Sequence, residues 1–246
     1  MSGHSKWSSI KHQKGVTDAR RGQLFTKLTR EIIVAVRQSG RDPEVNFRLR
    51  LAVQRARDNN MPLDNVERAI KRGSGELEGA ARVEMTLEGY GSGGTAILLQ
   101  VLTDNRNRTV QDIRHIFSRS GGNMGENGCV AWLFETRGLI IIKTDDLDAE
   151  GLALEAIDAG AEDVKIEDGF VEVYTRSDEL EAVKKALEQK ELSVTSTELA
   201  MVPRTTVELE EKAALQTLKL LEKLEELDEV QYVTTNADFP ESVLGK

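Results

Sequence analysis

Cysteine is almost missing from this 246-residue chain: the single Cys129 cannot close an intramolecular disulfide, so no oxidised framework holds the fold. Only three histidines accompany it, at His4, His12 and His115, and one Cys with three dispersed His supplies no four-ligand zinc set. Proline is scarce too, at four residues, which excludes a proline-rich or low-complexity polymer. The longest apolar runs, such as Leu139 to Ile142, fall far short of the roughly 20 residues that cross a bilayer. The N-terminal MSGHSKWSSIKHQK is positively charged but has no apolar stretch behind it, so it does not read as a secretory signal, and the chain reads as cytoplasmic. Without export, the Asn107-Arg108-Thr109 sequon is a chance match.

What the chain does contain is charge, and it is unevenly placed. Residues 1–72 hold 16 Lys+Arg against 7 Asp+Glu, a net +9, while the remainder holds 17 against 35, a net −18. The overall −9 hides this division. A cationic leading portion followed by anionic companions implies that the first part meets a polyanion and the rest keeps the molecule soluble. With 39% hydrophobic residues and this length, the chain can bury one large core or two to three small ones.

Residues 1–17 show no hydrophobic period and read as an arm. From Asp18, Leu24, Leu28, Ile32 and Ala35 or Val36 recur at helical spacing, with Arg20, Lys27, Arg30 and Arg37 in the neighbouring arc. This predicts a helix with one apolar and one basic stripe, ending near Ser39-Gly40. Asp42-Pro43-Glu44 carries the signals of a helix start. A second helix follows, with Val45, Leu49, Ala52, Val53 and Ala56 as its buried face and the pairs Arg48/Arg55 and Arg50/Arg57 flanking it. Leu63, Val66 and Ile70 mark a third helix stopped at Gly73.

Residues 73–82, GSGELEGAAR, read as a linker, and strands follow at 83–90 and 95–102. Between these strands Gly89-Tyr90-Gly91-Ser92-Gly93-Gly94 matches GxGxxG, a phosphate cradle only when a helix comes next. Here a strand comes next, so the segment is assigned to a hairpin loop. Thr103 to Thr109 opens a helix through about Arg119, and the loop SGGNMGENG precedes a strand CVAWLF that includes Cys129. Residues 137–202 read βαββαβ, the ferredoxin-like order. After Pro203 come a helix with Leu220, Leu221, Leu224 and Leu227 on its buried arc and a last strand at 230–234. That tail needs a sheet to cover.

The expected fold class is therefore multi-domain α+β. A basic helical domain spans 1–75, a discontinuous α+β domain spans 83–135 plus 204–246, and a ferredoxin-like domain spanning 136–203 is inserted in it. The alternative is a single continuous α+β domain after the bundle.

No catalytic constellation emerges. Asp145, Asp146, Asp148 and Glu150 lie at a helix start, where carboxylates complement the dipole. No histidine has a HExxH-like partner, and Cys129 has no His or Lys beside it, so no enzyme, cofactor, metal or small-molecule substrate is expected. Nucleic-acid chemistry fits better, because cations spaced along a helix neutralise phosphates and release counterions. The candidate binding residues are Arg20, Arg21, Lys27, Arg30, Arg37, Arg48 and Arg55 on the helices, with Lys6, Lys11, His12 and Lys14 on the arm. Trp7 offers an indole face for stacking on an unpaired base, or an anchor for the arm.

The stretches GHSKWSSIKHQKGVTDARRGQLFTKLTREIIVAVR and DPEVNFRLRLAVQRARDNNMPLDNVERAIKRG, with LEGYGSGGTA, TDNRNRT and GGNMGENG, closely resemble the YebC/PmpR family. The resemblance implies a helical N-terminal domain followed by two α+β domains, and a role as a DNA-binding transcriptional regulator. Relatives that include a mitochondrial translational activator imply an alternative partner, ribosomal RNA or the ribosome. Ser39, Ser92 and Cys129 depart from the family pattern and bear on loop stiffness more than surface chemistry.

Overall fold

In the computed structural model, residues 18–77, 82–144, 148–167 and 169–244 are described, with the side chains of 18–20, 241 and 244 outside that description. The arm at 1–17 therefore lies outside it. The architecture is mixed α+β, and by internal contacts the chain forms two compact units: Met1–Val53 with Met61–Phe134 and Pro203–Lys246, and Gln54–Asn60 with Glu135–Val202.

Three helices come first, α1 (Asp18–Ser39), α2 (Phe47–Asp58) and α3 (Leu63–Gly73), of which α1, α3 and the part of α2 up to Val53 belong to the first unit. Leu28, Ile32, Ala35 and Val36 of α1 are buried, as their spacing requires. Gly73 brings α3 close to α1: a Cβ there would lie 2.6 Å from Val36 Cβ and 3.0 Å from the Ile33 carbonyl. The start of α2 differs from the sequence expectation. Residues 42–46 form a turn, in which the Asp42 carbonyl accepts from Val45 and Asn46, and the helical cap is Asn46. Its side-chain oxygen accepts from Leu49 N at 3.0 Å while its amide donates to the carbonyls of Ala35 and Gly40. One buried amide thus ends α1 and starts α2. Consequently Val45, expected on the buried face, is 81% exposed, whereas Leu49, Ala52, Val53 and Ala56 are buried.

The same unit holds β1 (Val83–Tyr90), β2 (Ala96–Thr103), α4 (Arg106–Arg119) and β3 (Asn123–Met124). The CVAWLF segment is strand only at its last residue, Phe134. Residues Ala131–Leu133 form a 3-10 turn, Cys129 is half-buried outside any strand, and Asn123–Met124 is the strand that pairs with β1. Glu88 explains the turn. Its buried carboxylate accepts from the backbone N–H groups of Gly128, Val130 and Ala131 at 2.6–2.8 Å, taking donors that a strand would have given to a neighbour. The GxGxxG segment joins β1 to antiparallel β2, with Tyr90 opposite Ala96, so it is a hairpin connection; Gly93 and Gly94 lie at φ of 73° and 78°.

The second unit runs β4 (Phe134–Lys143), α5 (Ala149–Asp158), β5 (Asp163–Glu167), β6 (Phe170–Thr175), α6 (Leu180–Gln189) and β7 (Val194–Pro203). Its sheet order is β5-β6-β4-β7, with β6 antiparallel to both β5 and β4. Leu139, Ile141, Phe170, Tyr174, Ala200 and Val202 form one buried cluster. Asp148 caps α5 through the Glu150 N–H, as an acid at a helix start should; Asp145 and Asp146 lie outside the described residues.

The chain then returns to the first unit through β8 (Val207–Glu208), α7 (Glu211–Glu225), β9 (Val230–Thr235), β10 (Ala237–Asp238) and α8 (Glu241–Leu244). Strand β9 pairs with β2, completing a four-stranded sheet in the order β3-β1-β2-β9. The tail thus supplies the missing edge. Ile97, Leu99 and Val101 of β2 pack with Ile113 and Phe117 of α4 and with Leu220, Leu221 and Leu224 of α7. Side chains alternate across a strand, and Glu84, with the opposite parity from Met85 and Leu87 in that core, meets Arg48 and Gln38 of the helices.

Candidate nucleic-acid interface

The cations of α1 that share an arc beside its apolar stripe are held differently. Lys27 donates through Nζ to the Glu225 carbonyl at 2.6 Å. Arg30 donates to the Asp228 carbonyl, with its second terminal nitrogen 3.8 Å from the Asp228 carboxylate. Glu225 is the last residue of α7, where backbone carbonyls lack helical partners and the dipole favours positive charge. These two cations therefore fasten the basic helix to the end of α7.

Arg48 and Arg55 are also engaged. Arg48 forms a two-pronged pair with Glu84, at 2.7 and 3.0 Å. The hydrogen bond from Arg48 holds the Glu84 carboxyl below the usual carboxylate range against the opposing effect of burial. Arg55 lies 3.9 Å from the Glu198 carboxylate. Arg21 is exposed on the first turns of α1. Arg20 starts the same helix with its side chain outside the described residues, and Lys6, Trp7, Lys11, His12 and Lys14 lie outside them altogether.

Arg37 is exposed near the end of α1 and opens onto a groove of about 390 Å³. Three further arginines line it: Arg30 of α1, Arg72 from the last turn of α3, and Arg82, which immediately precedes β1. Among the described residues no acidic side chain lines the groove. The wall between the arginines is apolar, formed by Phe25, Ile33 and Met61, and Asn65 adds an amide. The Arg82 guanidinium is held below its ordinary pKa, first by burial and then by the charge of Arg30; Asp104 pulls it back, and Arg37 and Arg72 push it down further. Four guanidinia so gathered make an electropositive concavity suited to an anion with several oxygen acceptors.

Arg72 and Arg82 escaped the sequence reading. Arg72 sits in the turn of helix before a glycine stop, and Arg82 in a stretch whose glycines read as linker. Helical projection of α1 alone cannot place either beside Arg37. The basic last turn of α3, with Lys71 and Arg72, was the available signal.

Among the described residues no three His, Cys, Asp or Glu side chains gather closely enough to hold a metal ion. No helix there is long and apolar enough to cross a membrane.

Comparison with known proteins places this geometry in a family. Residues 5–76 match the N-terminal domain model of TACO1/YebC proteins, and residues 82–237 match the model of their second and third domains. The chain is 58% identical, over 100% of its own length and 98% of the relative's, to a probable transcriptional regulatory protein of Dehalococcoides mccartyi. It is 50% identical to another so named from Halothermothrix orenii, over 99% of this chain and 98% of that one. A crystal structure of a conserved hypothetical protein from Aquifex aeolicus superposes with a TM-score of 0.90 at 46% identity, covering 98% of this chain and 99% of that one. The resemblance drawn from the motifs thus extends through the whole chain, which belongs to the TACO1/YebC family.

Proposed function

We propose that this protein is a nucleic-acid-binding regulator that acts by binding rather than catalysis, engaging DNA in the control of transcription from the cytoplasm. The observation that carries the reading is the groove of Arg30, Arg37, Arg72 and Arg82, with no acid among the described residues of its lining. Such a concavity attracts phosphate, while the acidic remainder of the chain disfavours indiscriminate contact. The relatives named as probable transcriptional regulatory proteins support the regulatory part. In this reading residues 1–75 are the binding domain, and residues 136–203 are a ferredoxin-like module inserted into the 83–135 plus 204–246 domain.

One observation favours RNA, on the ribosome, as a second reading: the apolar wall of Phe25, Ile33 and Met61 offers a surface that the outside of a duplex does not use.

Fluorescence anisotropy with duplex DNA of promoter and random sequence, and with single-stranded RNA, over a series of salt concentrations tests both. Neutralising about five phosphates predicts a slope of about −4 to −5 in log affinity against log salt on duplex DNA. A flat salt response on every probe would remove the reading.

A further inference from the structure

We propose that Trp132 and Tyr90, at the hairpin end of β1, form a platform on which one unpaired base of a single-stranded nucleic acid stacks. The inference rests on the nucleic-acid reading above and adds to it a contact outside the basic helices.

Exposure is the first argument. Trp132 is 68% exposed and Tyr90 38%, and among the described residues they are the only aromatic side chains that stand open to this degree. Rings of this size are ordinarily covered, because they carry so much apolar area. These two also stand together. The Tyr90 hydroxyl and the Trp132 indole N–H both donate to the Cys129 carbonyl, at 3.0 and 3.1 Å. Their polar tips converge on one oxygen, which fixes both rings and leaves their faces without a polar task.

The second argument is the rigidity of the loop that carries them. The buried Glu88 carboxylate accepts from Gly128, Val130 and Ala131, on both sides of Cys129. Val130 is fully buried, and a Cβ at Gly125 would run into Cys129 Sγ, so the loop has no slack. Burying a carboxylate to order a surface loop is costly, and what it fixes in place is an open tryptophan. A platform already ordered loses little entropy when a ligand lands on it.

Charge and size then select the ligand. Glu88 and the exposed Glu126 put negative charge around Cys129, which disfavours a bare phosphate at the rings but not the neutral face of a base. Glu84, Glu88 and Tyr90 alternate onto one face of β1, and on this face Arg48 and Gln38 of the helices meet Glu84. Residues 1–72 carry a net +9, a long-range field that draws a polyanion to this side whichever of its cations are paired within the chain. Tyr90 lies about 20 Å along the strand from Glu84, a span that a few nucleotides cover. Two rings offer far less than the roughly 800 Å² that a stable protein partner buries on each side. One unpaired base presents a π-face of matching size, and stacking on aromatic side chains is a general way of holding single strands.

The test uses the full chain with a labelled single-stranded decanucleotide, a strand of equal length carrying abasic sites in place of its bases, and the blunt duplex. W132A should lose at least about fivefold in affinity for the single strand and less than about twofold for the duplex. W132F keeps a π-face and should hold the single strand within about twofold of the unaltered protein, whereas W132L, apolar but without a π-system, should behave as W132A does. L154A, at a comparably exposed apolar residue of the second unit, is the control and should change either affinity by less than about twofold. The abasic strand keeps its phosphates, and the unaltered protein should bind it at least about fivefold more weakly than the complete strand, a readout independent of any variant's folding. A photoreactive base in the strand should attach to the peptides carrying Tyr90 or Trp132. Undiminished strand binding by W132A, or attachment confined to other peptides, overturns the platform while leaving nucleic-acid binding intact. Binding by W132L as tight as by W132F overturns stacking in favour of a plain apolar contact, the mark of a protein partner. Equal affinity for the abasic and complete strands overturns the base as ligand. Failure of the unaltered protein to bind strand or duplex at any salt overturns the broader reading together with this one.

Discussion

Glu88 is a buried acid held chiefly by backbone N–H groups, with the Cys129 side chain as a further hydrogen-bond partner. Burial alone would raise its carboxyl, but three N–H groups, from Gly128, Val130 and Ala131, more than offset this and hold it below the usual carboxylate range. Replacement by Gln keeps the volume but turns an amide NH₂ toward backbone donors. E88Q should therefore destabilise the protein by about 1–3 kcal/mol, read from denaturant unfolding. The neighbouring Gly89 is held for a different reason. A Cβ there would lie 2.7 Å from the Asn123 carbonyl and 2.7 Å from the Phe117 ring, and backbone cannot step aside as a flexible side chain can. G89A should cost about 1–3 kcal/mol by the same assay. Nothing in GYGSGG announces that its first glycine serves contact rather than phosphate; the strand that follows excludes the phosphate cradle, but the close carbonyl comes from residues more than thirty positions later.

At the scale of the element, α1 is the instructive case. Its span, Asp18–Ser39, and its buried stripe follow from 3.6-residue periodicity and could be read directly. The partition of its cations could not. Lys27 and Arg30 share an arc with Arg37 in projection, yet the first two meet carbonyls at the end of α7, and only the packing of the C-terminal tail sets those two partnerships. Joint replacement of Lys27 and Arg30 by Ala should therefore lower stability by about 1–3 kcal/mol, whereas R37A, on the exposed side, should change it by less than about 0.5 kcal/mol. Paired thermal melts distinguish the two. The CVAWLF segment shows the opposite limit: its apolar, aromatic text is strand-like locally, and one buried carboxylate forty residues earlier overrides it. The start of α2 was misread for a similar reason, since Asp42-Pro43 satisfies every local rule and the buried Asn46 amide nevertheless sets the boundary.

For the whole molecule, acid sensitivity follows from the two glutamates held low in the folded state. Glu84, through its hydrogen bonds with Arg48, and Glu88, through its backbone donors, both titrate below their unfolded values. Their contribution is complete above the ordinary glutamate value of about 4.3 and drains away as pH falls through the lower folded values. The melting temperature should accordingly fall below about pH 4, and E88Q should flatten that acid limb by removing one of the two titrations. Equal acid limbs in the two proteins would refute the assignment. The division of charge along the chain was plain from composition, and so was the need for a sheet under the final helix. The groove was not, because it is assembled from α1, the end of α3 and the residue before β1, segments that no single periodicity links.

The clasp between Lys27 and the end of α7 spans 198 positions along the chain. A growing polypeptide exposes its first helix long before the carbonyls that will hold it have been made. Until then both fastening cations stand open to any passing polyanion. Completion of the chain withdraws them, so a product cut short ahead of α7 would be stickier and less selective than the finished molecule.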